Sequence, residues 1–167
     1  RTENFASVTF DEAFDEAPAI LVQLQTSNGA DWAVLRTRDV TTTGFEVALQ
    51  EQEASDGLHE AEIVGWAALD AAATDGVVDW SGMAAQAFTA DRLADHNGGT
   101  MAFDAALGPD ALIAAGISSF HGGNTATLRL SETRAEGAQT MAEFLVQEEQ
   151  SRDSETNHLL EDISGIA

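Results

Sequence analysis

Apolar and polar side chains alternate along most of this chain at a period that fits strands rather than helices. In residues 19–26, Ile20, Val22 and Leu24 fall on one face, and Leu21, Gln23 and Gln25 on the other. That two-residue period marks a half-buried strand. Ser7, Val8, Thr9 and Phe10 form a shorter β-prone run before it. The loop Ser27-Asn28-Gly29-Ala30-Asp31 contains Asn-Gly, a strong turn signal. Residues 32–38 return with Trp32, Val34, Arg36 and Arg38 sharing a face, and Thr41-Thr42-Thr43-Gly44 makes the next turn. Residues 45–51 place Phe45, Val47 and Leu49 inward; an acidic loop over 52–57 leads to a closing strand over 62–69. Segments 11–17 and 105–115 have helix-favouring, Ala-rich composition, but the alternation beside them argues strand.

The same pattern occurs twice. Phe10-Asp11 recurs as Phe103-Asp104, Ala13 as Ala106, Ile20 as Ile113, Gly29 as Gly122, and Ala33, Leu35 and Arg36 as Ala126, Leu128 and Arg129. Eight of 27 ungapped positions are identical, where roughly two are expected from average residue usage. After a four-residue insertion, Glu46, Gln50, Glu51 and Asp56 match Glu143, Gln147, Glu148 and Asp153. Two further inserted residues bring His59 and Glu62 onto His158 and Glu161. Second-copy strands are expected over 100–103, 112–120, 125–131, 141–147 and 160–166, with one or two more within 77–99. Five to six short strands per copy, spaced by turn residues, indicate an antiparallel sandwich. The expected fold is therefore all-β: two tandem antiparallel β-sandwich modules at 1–70 and 77–167, joined by a linker at 71–76. Arg1 aligns with Ala94, so residues 84–89 have no counterpart before it. The first module is expected to lack its initial strand, and the chain reads as part of a longer repeat polypeptide.

Charge narrows the choice of partners. Twenty-nine acids face seven bases, all Arg, for a net charge of −22. That surface repels nucleic acid and anionic lipid. It suits a saline medium that screens self-repulsion, or divalent cations such as Ca²⁺ that neutralise it; salt is the simpler reading. Cysteine is absent, which excludes disulfides and thiolate metal sites. No run approaches the ~18 apolar residues of a membrane-spanning helix, and no membrane insertion is expected.

Ordered along the first copy, several residues resemble a known module. Val8, Phe10 and Phe14 are followed by Pro18 opening an apolar strand, by Arg36 and Arg38, by Thr41, Gly44 and Phe45, and by a closing Trp66-Ala67. This order resembles the H-type lectin module over residues 7–69, and over 100–167 by way of the repeat. The resemblance implies a six-stranded antiparallel β-sandwich, trimeric assembly, and recognition of N-acetylgalactosamine-type sugars at subunit edges. Two departures stand out. Gln50-Glu51-Gln52-Glu53 lacks the aromatic residue that such a sugar site uses, and the second copy has Met141-Ala142 in place of Gly-Phe.

Three clusters are candidates for chemistry. The first is His59 with Asp56 and Glu51 or Glu53, repeated as His158 with Asp153, which combine nitrogen and oxygen ligands suited to a divalent cation. The alternative is structural, with His59 bonded to a turn carbonyl and Glu62 paired with a sheet Arg. The second is Arg36 and Arg129, whose guanidinium groups, if buried, require a carboxylate such as Glu51/Glu148 or Glu62/Glu161. Arg38 has no basic match in the second copy, where Ser131 stands, and is freer to contact a ligand. The third is the loop Ser27, Asn28, Asp31 and Trp32, with its equivalent His121 and Asn124. Its planar acceptors and donors suit vicinal hydroxyls, and the Trp ring suits sugar C–H groups; a turn with a packed Trp is the alternative. No nucleophile elbow, phosphate loop or metalloprotease motif is present.

The chain is thus expected to be a non-enzymatic extracellular or particle-surface module that binds glycans or cell-surface polysaccharide. No cofactor is required, Ca²⁺ is compatible, and a homo-oligomer or longer repeat array would supply avidity. The other reading is a structural, self-assembling repeat of a surface filament, adhesin stalk or virion appendage.

Overall fold

The computed structural model describes residues 4–71, 78–80, 83–104 and 107–167. Residues 72–77, most of the expected linker, lie outside the described residues. Among those described, no helix is long and apolar enough to cross a membrane. The fold is all-β, as the alternation predicts. The strands among the described residues are β1 (Ala6–Thr9), β2 (Ala19–Leu24), β3 (Ala33–Thr41), β4 (Gly44–Glu51), β5 (Val64–Leu69), β6 (Val78–Trp80), β7 (Met83–Ala85), β8 (Ala87–Ala94), β9 (Gly99–Asp104), β10 (Ala114–Ile117), β11 (Ala126–Glu136), β12 (Gln139–Glu148) and β13 (Glu161–Ile166).

All pairings are antiparallel. In the first half β1-β4-β3 form one sheet and β2-β5 another; in the second, β9-β12-β11 and β10-β13-β8 do the same. The registers repeat as well as the order. Val8 pairs with Phe45 as Met101 pairs with Ala142, Arg36 with Ala48 as Arg129 with Leu145, and Leu24 with Val64 as Ile117 with Ile163. One slipped residue would move every side chain to the opposite face. Matching registers therefore give both halves the same inward and outward positions.

Each half packs its two sheets over an apolar core. Phe10, Ile20, Phe45 and Val47 fill the first, and Phe88, Phe103, Ile117, Phe144, Val146 and Ile163 fill the second. The halves differ at one edge. Within the described residues β13 has β10 and β8 as neighbours, whereas its counterpart β5 has only β2. Phe88 of β8 packs edge-on against Phe103, with ring centroids 5.0 Å apart. The first half fills that place with Trp66 of β5, 5.8 Å from Phe10 and 5.7 Å from Phe45, yet 46% exposed.

The two halves also pack on each other. β2 lies against β13, β10 and β8, and the Ser164 hydroxyl both accepts from Ile20 N at 3.2 Å and donates to Ile20 O at 3.0 Å. This contact explains a departure from simple alternation. On β4 the outward-facing Gln50 is buried, because the second half covers it.

Phe144 is fully buried at the centre of the larger core. Phe144→Ala is expected to destabilise the protein by about 3–5 kcal/mol, whereas Leu112→Ala, at 92% exposure, should change stability by less than about 0.5 kcal/mol. Chemical denaturation followed by fluorescence compares the two.

Candidate functional site

The recurring His and Glu residues form the same clamp in both halves. The segment before β5 is not strand, so His59 and Glu62 are not forced to opposite faces and converge. His59 Nδ1 lies 3.1 Å from Glu51 and Nε2 lies 3.2 Å from Glu62. In the second half, His158 Nδ1 is 2.8 Å from Glu148 and Nε2 is 2.9 Å from Glu161. Each His thus bonds two carboxylates, not the turn carbonyl considered from sequence. The recurring glycines fit beneath the rings. A Cβ on Gly29 would lie 2.4 Å from His59 Nε2, and one on Gly122 would lie 2.5 Å from His158 Nε2. Only glycine permits that approach.

The second carboxylate of each clamp shapes the preceding loop. Glu62 accepts from the Thr26 hydroxyl, from Asn28 N at 2.7 Å and from Gly29 N at 3.0 Å. Glu161 accepts from the Ser119 hydroxyl and from His121 N and Gly122 N, both at 2.9 Å. The Thr26 hydroxyl and the Gly29 amide hold the Glu62 carboxyl down at about 2. At Glu161 burial works against ionisation, but the bonds from His158, Ser119 and His121 and the charge of Arg36 prevail, and it too falls to about 2.

Arg36 reaches across to the other half. Its guanidinium lies 2.8 Å from Glu161, and both side chains are completely buried. It also donates to Gln50 Oε1 at 3.1 Å and to the carbonyls of Asn124 at 3.2 Å and Gly122 at 3.4 Å. The carboxylate expected for this Arg is present, but it comes from the second half. Arg129 differs from the half-buried position expected of it: it is exposed and donates to Gln147 Oε1 at 2.9 Å. Among the described residues nothing from the other half covers its face, so no carboxylate is required there.

The predicted ligand residues fall in three places. Arg38 and His121 line one cleft of about 500 Å³ between the halves, together with Asp39, Asp91, Phe120 and Asp162. Asn124 lines a separate depression with Gln50, Glu53 and Arg152. Ser27, Asn28, Asp31 and Trp32 lie on the exposed 27–32 loop, where the Asn28 amide donates to Ala61 O at 2.8 Å. Arg38 is held ready by its neighbours: Glu46 lies 2.7 Å away and the Phe5 ring 3.7 Å beneath the guanidinium. His121 Nδ1 bonds Leu160 O at 3.0 Å, and Asp162 accepts from Arg92 N at 2.8 Å. Asp39 and Arg92 both adopt positive φ, 50° and 46°, a conformation uncommon outside glycine. The backbone turns sharply at both flanks of the cleft.

Sequence reasoning missed Asp39, Asp91 and Asp162. A signal existed for the last: Asp162 follows the recurring Glu161, whereas Ile63 follows Glu62. A polar residue added beside a repeated motif marks a place where the halves differ in role. The metal candidates are brought together only in part. His59 does meet the candidate Glu51, and His158 its match Glu148, but Asp56 accepts from Leu58 N at 2.9 Å and Asp153 from Glu155 N at 2.9 Å instead. Among the described residues, no three His, Asp or Glu side chains are grouped to hold a metal ion.

Two outcomes test this network. A carboxyl whose folded pKa lies below its ordinary 4.5 stabilises the fold above that value and loses the contribution as pH falls toward 2. Glu161→Gln should therefore remove on the order of 2 kcal/mol from the loss of stability between about pH 5 and 2, read as a flatter acid limb in urea titrations. Arg36→Met leaves Glu161 buried without its cation and should cost about 3–5 kcal/mol, whereas Arg129→Met should cost less than about 1 kcal/mol; paired denaturation curves check the contrast.

No family model matches the chain, and neither the curated proteins nor the solved structures contain a match.

Proposed function

We propose that this chain is a non-enzymatic carbohydrate-binding module of an extracellular or particle surface, with its site in the cleft between the two halves. The observation that carries this reading is the meeting of Arg38 and His121 on one cleft. They come from opposite halves, and each is a residue that its own repeat partner does not share: Ser131 stands for Arg38, and Asn28 for His121. The volume of about 500 Å³ falls in the range of small-ligand sites and would take a mono- or disaccharide. Guanidinium, imidazole and the carboxylates of Asp39, Asp91 and Asp162 supply the fixed donors and acceptors that neighbouring hydroxyls need. Phe120 adds an apolar wall. The acidic lining favours neutral or amino sugars over sulfated or uronic ones, which the net charge of −22 repels.

A glycan array, run with and without EDTA, tests the reading. Saturable binding is expected, weakened at least about tenfold by Arg38→Ala and by His121→Ala, and little changed by Trp32→Ala. Binding lost on Trp32→Ala but kept in the other two variants moves the site to the 27–32 loop. No binding to any neutral glycan ends the carbohydrate reading. Loss with EDTA alone assigns a Ca²⁺ bridge.

A further inference from the structure

The contact that joins the two halves uses one face of the first and one loop of the second. Both features recur, exposed, at the opposite ends of the molecule. On the covered face, Arg36 bonds Gln50 and donates to the carbonyls of Gly122 and Asn124, while Gln50 Nε2 donates to Gly123 O at 2.9 Å. Arg36 and Gln50 are at most 2% exposed. At the equivalent positions of the second half, Arg129 also bonds Gln147, through Nε at 2.9 Å where Arg36 uses Nη1, and both side chains are exposed. The loop that covers Arg36 is anchored by Glu161 through the amides of His121 and Gly122. Its first-half equivalent is anchored by Glu62 through the amides of Asn28 and Gly29, and presents Ala30, Asp31 and Trp32 to solvent.

We propose that the contact within the chain is repeated between chains, the Arg129–Gln147 face of one molecule receiving the 28–31 loop of a second copy. The carbonyls of Gly29, Ala30 and Asp31 then stand where those of Gly122, Gly123 and Asn124 stand inside the chain, and Glu62 takes the place of Glu161 opposite the guanidinium. The borders of the two free features support the same partner. The covered face has Thr37, which donates to Ile117 O at 2.9 Å, and the covering loop ends in Thr125, which donates to Glu51 O. Their equivalents are Leu130, 42% exposed, and Trp32, 47% exposed. A large apolar residue thus borders each free feature where a buried Thr borders the filled one, as in the apolar centre of a protein–protein contact. Because the two features differ, the contact is heterologous and builds a ring or an open array. It does not rest on the carbohydrate reading and is tested without sugar.

Sedimentation and light scattering across a concentration series, in about 1 M KCl, where the Debye length is only ~3 Å, read the association directly. Higher-order species are expected, and lower salt should weaken them because each copy carries −22. Arg129→Glu and Trp32→Asp should each raise the midpoint concentration at least about tenfold, with unchanged circular dichroism because both sites are exposed. Arg134→Ala, on the same strand but paired with Glu132 at 2.9 Å, should have no effect. Mixing the Arg129→Glu and Trp32→Asp proteins leaves one intact face and one intact loop, and should give dimers that grow no further. Monomers up to about 1 mM, association indifferent to both substitutions, or unlimited growth of the mixture would each overturn the proposal.

Discussion

A guanidinium with no access to solvent is the constraint around which this molecule is arranged. Arg36 sits on a strand of the first half, yet its carboxylate, Glu161, and two of its carbonyl acceptors belong to the second. An isolated charge at that depth would cost several kcal/mol. The pair therefore requires the halves to meet in one orientation, with the 119–125 loop in one conformation. Glu161 imposes that conformation, holding two loop amides and the Ser119 hydroxyl while His158 braces it from behind. The Arg38–His121 cleft is a by-product of the same arrangement: His121 is positioned by the residue that positions Arg36.

Charge explains why so few cations are used so deliberately. With seven Arg against 29 acids, three of the described arginines pair with carboxylates, Arg36 buried in the interface, Arg38 on Glu46 and Arg134 on Glu132 at the surface. The acidic loops of the two halves nevertheless abut. Glu53 N donates to Glu149, and partial burial together with Asp153 and Glu149 raises the Glu53 carboxyl above its ordinary value. At Glu53 this crowding works against folding at neutral pH and eases as salt screens it. At Glu149 burial is outweighed by hydrogen bonds from Glu53 N and from Ser151, which hold its carboxyl below the ordinary value. The fold tolerates the crowding because the buried network beneath is hydrogen-bonded almost throughout.

Much of the fold was legible because a two-residue period and a ninety-odd-residue duplication survive in the sequence. The duplication also carries the register, since Val8–Phe45 and Met101–Ala142 are the same pair in two settings. What could not be read is which copy completes which site. Arg36 and Arg129 are indistinguishable by pattern, yet one is buried and one exposed. The clamp was obscured for a local reason: strand was expected from Glu62, but β5 begins at Val64, and those two residues let His59 and Glu62 meet. Likewise, the strand expected over 112–120 shortens to Ala114–Ile117, because Ser119 and Phe120 leave the sheet to wrap Glu161. The loop proposed for sugar was found by type of residue, whereas the cleft is found by position. Arg38 and His121 are more than eighty residues apart in sequence.

The duplicated halves keep their buried polar network while varying both the packing of their cores, Phe45 against Ala142 and Val47 against Phe144, and the positions that face different neighbours. The clamp, its glycine, and the Arg–Gln bond are kept in both. Among outward positions the changes are Thr37 against Leu130, Thr125 against Trp32, and Asp162 against Ile63. A self-contained sandwich has no reason to alter those positions in concert, because none of them decides whether its own core closes. A module whose surroundings differ at its two ends does. Thr37 and Thr125 satisfy carbonyls that the contact within the chain buries, and a leucine or tryptophan there would leave those carbonyls unbonded. At the exposed equivalents no such carbonyl is yet buried, and apolar area becomes the better choice for a surface that is to be covered. The repeat thus keeps one fold while writing two different interfaces onto it, and the difference between its copies describes their neighbours.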